Sequence, residues 1–312
     1  MNSTQNNFSE NDYDFIDLGK LFSAIWDRKI FISTITSLAA LLSVTYALSL
    51  PNIYTSTSLL APASSDESLT SKLGNFSSLG SLAGISLPSG SASKSQEAVQ
   101  RIKSFDFFKS YFLPNIQLEN LMAVDKWVLE TNTIVYNDDL FDTVSNKWIR
   151  ETSNFKNVTP SDQEAFKVYK DVVSLSESKK TSFVSISAEH QSPVIAKKWV
   201  DIIVYQINES MRKLDSESAN NSISFLKETA QSTNVQSIRD TVSQLLENQM
   251  QTLMLTSSND AYIYKTIDSS IVPEEKSKPS RALICIFGTL MGGILSIFMV
   301  LIMHLRSRLQ SN

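Results

Sequence analysis

The chain has 312 residues, with 28 Lys+Arg against 32 Asp+Glu and a formal net charge of −4. That balance gives no electrostatic reason to expect nucleic acid as a partner, since binding phosphates needs clustered basic charge. One cysteine, Cys285, and two histidines, His190 and His304, rule out an intramolecular disulfide and any centre of paired Cys or His ligands, so neither a metal nor a cofactor is expected.

Residues 1–29 form a polar tail that is acidic at first (Glu10, Asp12, Asp14, Asp17). Phe15, Leu18, Phe22 and Ile25 then recur at helical spacing, which predicts a short interfacial helix leading into the next segment. Residues 30–50 carry no charge over 21 positions, and at about 1.5 Å per residue they reach about 30 Å, the thickness of a hydrocarbon core. Ala47-Leu48-Ser49 would pass as a signal-peptidase site. The apolar run is nevertheless longer than the roughly 7–15 residues of a signal core, and a tail precedes it, so an uncleaved signal-anchor is expected.

Residues 53–61 are rich in β-branched side chains and predict a strand closed by Pro62. The stretch 64–95 holds Gly74, Gly80, Gly84 and Gly90, half the glycines, among serines and scattered apolar residues. It suits either a mobile loop packed on a neighbouring subunit or a disordered surface loop. Residues 96–112 return to helical spacing; within 115–160, Trp127, Phe141 and Trp148 are candidate core residues. Ser161-Asp162-Gln163-Glu164 after Pro160 is a capping box opening a helix. Residues 181–188 alternate, with Val184, Ile186 and Ala188 on one face of a strand.

Ser192 and Pro193 are an N-cap and first-turn proline. From 194 to 272 there is neither Gly nor Pro, so one or two very long helices are predicted. Ile195, Trp199, Ile202 and Ile203 line one face; Val235, Ile238, Val242 and Leu245, then Leu246, Met250 and Leu253, continue the pattern beyond a polar stretch at 215–221. A helix of that length needs company to bury its stripe, and other copies of the chain are the natural source. Residues 261–267 alternate as a returning strand, and Pro273 and Pro279 break regular structure before 282–303, a second uncharged run of 22 residues.

Arg28 and Lys29 abut the first apolar run, and Arg306 and Arg308 follow the second. Basic residues beside a span stay in the cytoplasm, so 1–29 and 304–312 are expected inside and 51–281 in the periplasm. Lys276, Lys278 and Arg281 lie in a long translocated segment, where that rule has little force. Trp26, Tyr46 and Tyr54 are placed as interfacial anchors. The expected fold class is therefore α+β, two transmembrane helices (30–50 and 282–303) flanking a periplasmic domain.

No nucleophile and base stand together, and no GxxxxGK[ST] phosphate cradle is present. Two tails of this size are too short to fold as an enzyme, so no catalytic activity is expected. His190 suits a polar turn, and Asp138-Asp139 and Glu274-Glu275 suit solvated faces. Gly288-Thr289-Leu290-Met291-Gly292 is a GxxxG, which lets helix backbones approach closely. With Gly293, Pro273 and Pro279 it marks a candidate contact to the first span, a sister subunit or a partner protein.

Several pieces together resemble a known family, the chain-length determinant proteins, or polysaccharide co-polymerases. They are Asp17-Leu18-Gly19-Lys20-Leu21, Pro51 with Tyr54-Thr55-Ser56, and Lys180-Thr181-Ser182-Phe183-Val184-Ser185-Ile186-Ser187. Glu189-His190-Gln191-Ser192-Pro193, Ala196-Lys197-Lys198-Trp199, Asp268-Ser269-Ser270-Ile271-Val272-Pro273-Glu274-Glu275 and Pro279-Ser280-Arg281 continue the match, and Gly288, Gly292 and Gly293 complete it. Ser277 and Ser280 stand where further prolines or a basic residue are usual.

The resemblance implies a closed homo-oligomer in the bacterial inner membrane, with a membrane-proximal α/β base and long extended helices. It implies a non-enzymatic regulator of O-antigen (lipopolysaccharide) chain length, acting on the polymerase that extends a polyprenyl-diphosphate-linked glycan. A capsule or exopolysaccharide export component working with a separate kinase is the alternative.

Overall fold

The computed structural model describes residues 26–63, 91–151, 157–258 and 261–311. The predicted interfacial helix before Trp26 and the glycine-rich part of 64–95, up to residue 90, lie outside them. The chain divides into two units: Asn52–Lys278, and Met1–Pro51 together with Pro279–Asn312.

In chain order the elements are α1 (Lys29–Ser49), β1 (Tyr54–Pro62), α2 (Ser91–Ile102), α3 (Leu118–Met122), β2 (Val124–Val128), β3 (Thr133–Tyr136), β4 (Phe141–Asp142) and β5 (Lys147–Trp148). Then follow α4 (Asp162–Val172), β6 (Val173–Glu177), β7 (Val184–His190), α5 (Pro193–Ser232), α6 (Gln236–Ser258), β8 (Tyr264–Asp268) and α7 (Arg281–Ser311). The larger unit is built on an antiparallel sheet in the order β6-β7-β1-β8. The fold is α+β.

The inward face of β7 is Val184, Ile186 and Ala188, all fully buried, as the alternation predicted. On β1 the inward positions are Ser56, Ser58 and Leu60, all buried. Neither serine is left unpaired: Ser56 Oγ donates to the Ile271 carbonyl at 2.7 Å and Ser58 Oγ to that of Asp268 at 2.8 Å. Strand β6 was not foreseen, because it follows α4 with no glycine or proline to mark the change.

The capping box is present: Ser161 Oγ accepts from Glu164 N–H at 3.3 Å, and Glu164 Oε2 accepts from Ser161 N–H at 3.1 Å. Arg150, itself buried, donates to the same carboxylate at 2.9 Å and holds its pKa below the usual carboxylate value. The predicted helix over 96–112 starts earlier, at Ser91, and stops at Ile102. Its first turns are tied down by Lys94 on Asp215 at 2.5 Å and by Ser95 against the Tyr264 hydroxyl at 3.1 Å. Ser104 then caps a new start, accepting from Phe107 N–H at 3.2 Å, and residues Phe108–Phe112 form a wider π-type turn. That turn inserts Phe108 and Phe112 against Tyr169, with ring centroids 5.1 and 4.8 Å apart, and Phe112 against Trp199 at 5.9 Å. Of the three aromatic residues expected in the core within 115–160, only Phe141 is buried. Trp127 and Trp148 are half-buried, because each sits on a short hairpin packed on one side.

The long Gly- and Pro-free stretch makes two helices: α5 has 40 residues and α6 has 23. The first part of α5 lies on the sheet and buries Trp199, Val200, Ile203, Ile207 and Met211. Within the polar stretch at 215–221, Asp215 accepts from Lys94 Nζ and from the Tyr262 hydroxyl, both at 2.5 Å. Ser192 is the N-cap residue of α5, yet its hydroxyl makes no capping bond. Its N–H instead donates to His190 Nδ1 at 2.8 Å. The strand predicted at 261–267 begins at Tyr264, since Ile263 and Tyr264 N–H both donate to Asn208 Oδ1, at 2.8 and 2.9 Å.

His190 is thus not a turn residue but the buried end of β7, 7% exposed. Because Nδ1 accepts from a backbone N–H, the ring proton sits on Nε2 and donates to the Asn120 carbonyl at 2.9 Å. Burial in contact with Trp199 (centroids 4.9 Å) holds its pKa below the usual 6.5.

Two stability predictions follow from these buried polar groups. Asn208→Ala leaves two buried N–H groups unpaired and should cost about 3 kcal/mol, read as a lower urea midpoint of the detergent-solubilised chain. An unchanged midpoint would show that Asn208 does not hold β8 to α5. For His190, the unfolded chain takes up the proton first, so its stabilisation is complete above pH 6.5 and declines as pH falls toward the lower folded value. His190→Gln should therefore show a shallower loss of urea midpoint between pH 7.5 and 5 than the parent chain; equal slopes would contradict it.

Candidate functional site

Two helices, Lys29–Ser49 and Arg281–Met303, are long and apolar enough to cross a membrane by length and composition. They belong to the same unit and pair antiparallel: Thr36 lies beside Gly293, Ala39 beside Gly292 and Ser43 beside Gly288. At the far end of the pair Arg281 Nε donates to the Ala47 carbonyl at 3.1 Å. Ala47, Gly292 and Ser296 are buried between them. The large side chains point away: Leu41 is 65%, Phe287 63% and Phe298 62% exposed. A soluble helical hairpin would place these inward; small residues inside and large apolar ones outside is the arrangement of helices solvated by lipid.

The sequence-predicted glycines differ in what they do. A Cβ built on Gly288 would overlap the Ser43 Cβ, and one built on Gly292 would overlap the Ala39 Cβ. Gly293 has ordinary room, 3.8 Å from its built Cβ to Thr36 Oγ1, and is not needed for the close approach. The prolines are not part of this contact. Pro279 lies just before α7, its carbonyl accepting from Arg281 N–H at 2.9 Å, and Pro273 lies in the other unit.

The larger unit has a second feature that the sequence did not reveal, the place where its chain enters and leaves. Ile53 N–H donates to the Lys278 carbonyl at 2.9 Å, and Ser277 N–H donates to the Ile53 carbonyl at 2.8 Å. Lys278 Nζ also reaches both Glu189 oxygens, at 2.8 and 2.7 Å. Entry and exit are therefore side by side. Only the folded sheet could show this, because the two residues are 225 positions apart in sequence (278 − 53).

The third feature is the apolar stripe along the long helices. Val242 is buried, but Phe225 (68% exposed), Val235, Ile238, Leu245, Met250 and Met254 (68%) lie open. Among the described residues, no three His, Cys, Asp or Glu side chains gather where a metal ion could be held. Asp138, Asp139, Glu274 and Glu275 are exposed, as expected of solvated carboxylates.

Residues 14–112 match the family model described as Wzz, chain length determinant protein. Residues 227–305 match that described as G-rich domain on putative tyrosine kinase. No curated protein matches the chain. Among solved structures, a full-length bacterial polysaccharide co-polymerase is 13% identical over 95% of this chain and 99% of its own, with a TM-score of 0.41. A fragment of WzzB, the polysaccharide co-polymerase from Salmonella Typhimurium, is 15% identical over 73% of this chain and 100% of its own, with a TM-score of 0.30. The stretch 14–112, which holds α1, β1 and α2, is thus similar to the chain length determinant proteins.

Proposed function

We propose that this protein regulates the length of O-antigen (lipopolysaccharide) polysaccharide, as a non-catalytic homo-oligomer of the bacterial inner membrane. It acts on the polymerase that extends glycan on a polyprenyl-diphosphate carrier. The chain length determinant match over residues 14–112 carries this proposal. In it, α1 and α7 lie in lipid, 51–281 is in the periplasm, and 1–29 and 304–312 are cytoplasmic. The positions of Arg28, Lys29 and Arg306 beside the apolar helices support that orientation. The open stripe on α5 and α6 supports assembly with further copies, since a patch with Phe225 and Met254 uncovered is an interaction surface in waiting.

A second proposal, that the chain serves capsule or exopolysaccharide export together with a separate kinase, is favoured by the match of residues 227–305 to the G-rich domain on putative tyrosine kinase. Deletion of the gene separates the two. Under O-antigen length control, the lipopolysaccharide ladder on a silver-stained gel loses its modal length while polymer persists. Under capsule export, surface polymer disappears and the ladder is unchanged.

The small-residue pairing gives a finer prediction. Gly288→Leu or Gly292→Leu forces α1 and α7 apart and should broaden the glycan length distribution at unchanged protein abundance. Gly293→Ala, which has room, should leave it as it was. A parental ladder from both leucine variants would remove the helix pair from the mechanism.

A further inference from the structure

The side-by-side entry and exit bring three elements of the larger unit to one end of its sheet. Tyr54, at the start of β1, packs edge-on against Trp127 of the β2–β3 hairpin, with ring centroids 5.5 Å apart. Beyond Trp127 the hairpin turns at Leu129, which is 70% exposed, and Trp127 Nε1 donates to Asn132 Oδ1 at 3.0 Å, fixing the turn. On the other side of β1, the Ile271 carbonyl accepts from Ser56, and the Ile271 and Val272 side chains are 68% and 43% exposed. An exposed leucine, isoleucine and valine around a half-buried Trp and Tyr thus stand where the chain leaves for both apolar helices.

We propose that this end of the unit, Trp127 and Leu129 on the hairpin with Ile271 and Val272 beside β1, rests in the lipid headgroup layer as a third point of membrane contact. The inference rests on the assignment of α1 and α7 to the bilayer. Its occupant follows from the tethers. Four residues lie between Ser49, the end of α1, and Tyr54, and two between Lys278 and Arg281, the start of α7, which makes five and three Cα-to-Cα steps. Fully extended, these reach about 17 and about 10 Å, while the headgroup region on one side is about 5–7 Å deep. The surface that carries Ile53 and Lys278 is therefore held within about 10 Å of the hydrocarbon. Large aliphatic side chains and an aromatic pair with a polar edge are the groups that partition into this layer.

The test uses the full chain in phosphatidylethanolamine–phosphatidylglycerol vesicles, with Cys285→Ala to remove the native thiol. Leu129→Cys and Ile271→Cys each carry an environment-sensitive fluorophore; Phe225→Cys, on α5, serves as the distant control and Leu38→Cys as the intramembrane one. Spin labels on the lipid headgroup should quench positions 129 and 271 several-fold more than 225, and a spin label deep in the acyl chain should quench 38. If 38 is quenched while 129 and 271 match 225, the membrane assignment stands and this proposal is overturned. A blue-shifted but unquenched label at 129 indicates protein contact and overturns it too. If 38 itself escapes quenching, the membrane assignment fails and the proposal falls with it.

Discussion

Strands β1 and β8 bound the folded unit in sequence and are hydrogen-bonded neighbours in the sheet, and this pairing is the constraint to which the other features answer. Nothing local favours it. The two strands are about two hundred residues apart, and closing a loop of that size costs entropy that grows only slowly with its length. What repays the closure is a set of directed bonds: Asn208 on the start of β8, Ser58 on its end, Ser56 on the segment beyond, and Ile53 with Lys278 at the exit. Each satisfies a backbone group that burial would otherwise leave unpaired, at a cost of about 1–3 kcal/mol apiece.

These polar groups determine register more than they add stability. An interior strand position with leucine in place of Ser58 would bury as well, but would accept more than one alignment with β8. A hydroxyl that must reach one carbonyl accepts only one. The same logic holds for His190, whose two ring nitrogens join the end of β7, the start of α5 and α3 through Ser192 and Asn120. The phenols of Tyr262 and Tyr264 complete the set. Burial, with Asp215 adding to it at Tyr262, raises both pKa values, that of Tyr264 up to about 12, so both remain hydrogen-bond donors at any pH the protein meets.

The two units use opposite packing rules. In the sheet unit, large side chains such as Trp199, Phe112 and Tyr169 fill the interior, driven by removal of apolar area from water. Between α1 and α7 the contact is made by Gly288, Gly292, Ala39 and Ser43, and large side chains face outward. Where lipid is the solvent, leucine gains nothing by turning inward, and backbone proximity supplies the attraction instead. The stripe on α5 and α6 obeys neither rule within one chain. Its residues are spaced for burial and left uncovered, which is what the proposed assembly with further copies would use.

What the sequence determined alone was whatever depends on a short, periodic stretch of residues. The two uncharged runs, the capping box at Ser161, the alternation of Val184, Ile186 and Ala188, and the helical stretch from Pro193 are all local patterns, and local physics settles them. The chain length determinant resemblance belongs here too, since it rests on short ordered motifs. The tertiary structure alone decided that α2 begins at Ser91, because Lys94 and Ser95 find their partners in α5 and β8. It alone decided that His190 is buried, that Gly288 and Gly292 but not Gly293 require the absence of a side chain, and that Ile53 meets Lys278. Those facts depend on which distant residue stands opposite, and a pairing between remote segments leaves no period in the sequence to be read.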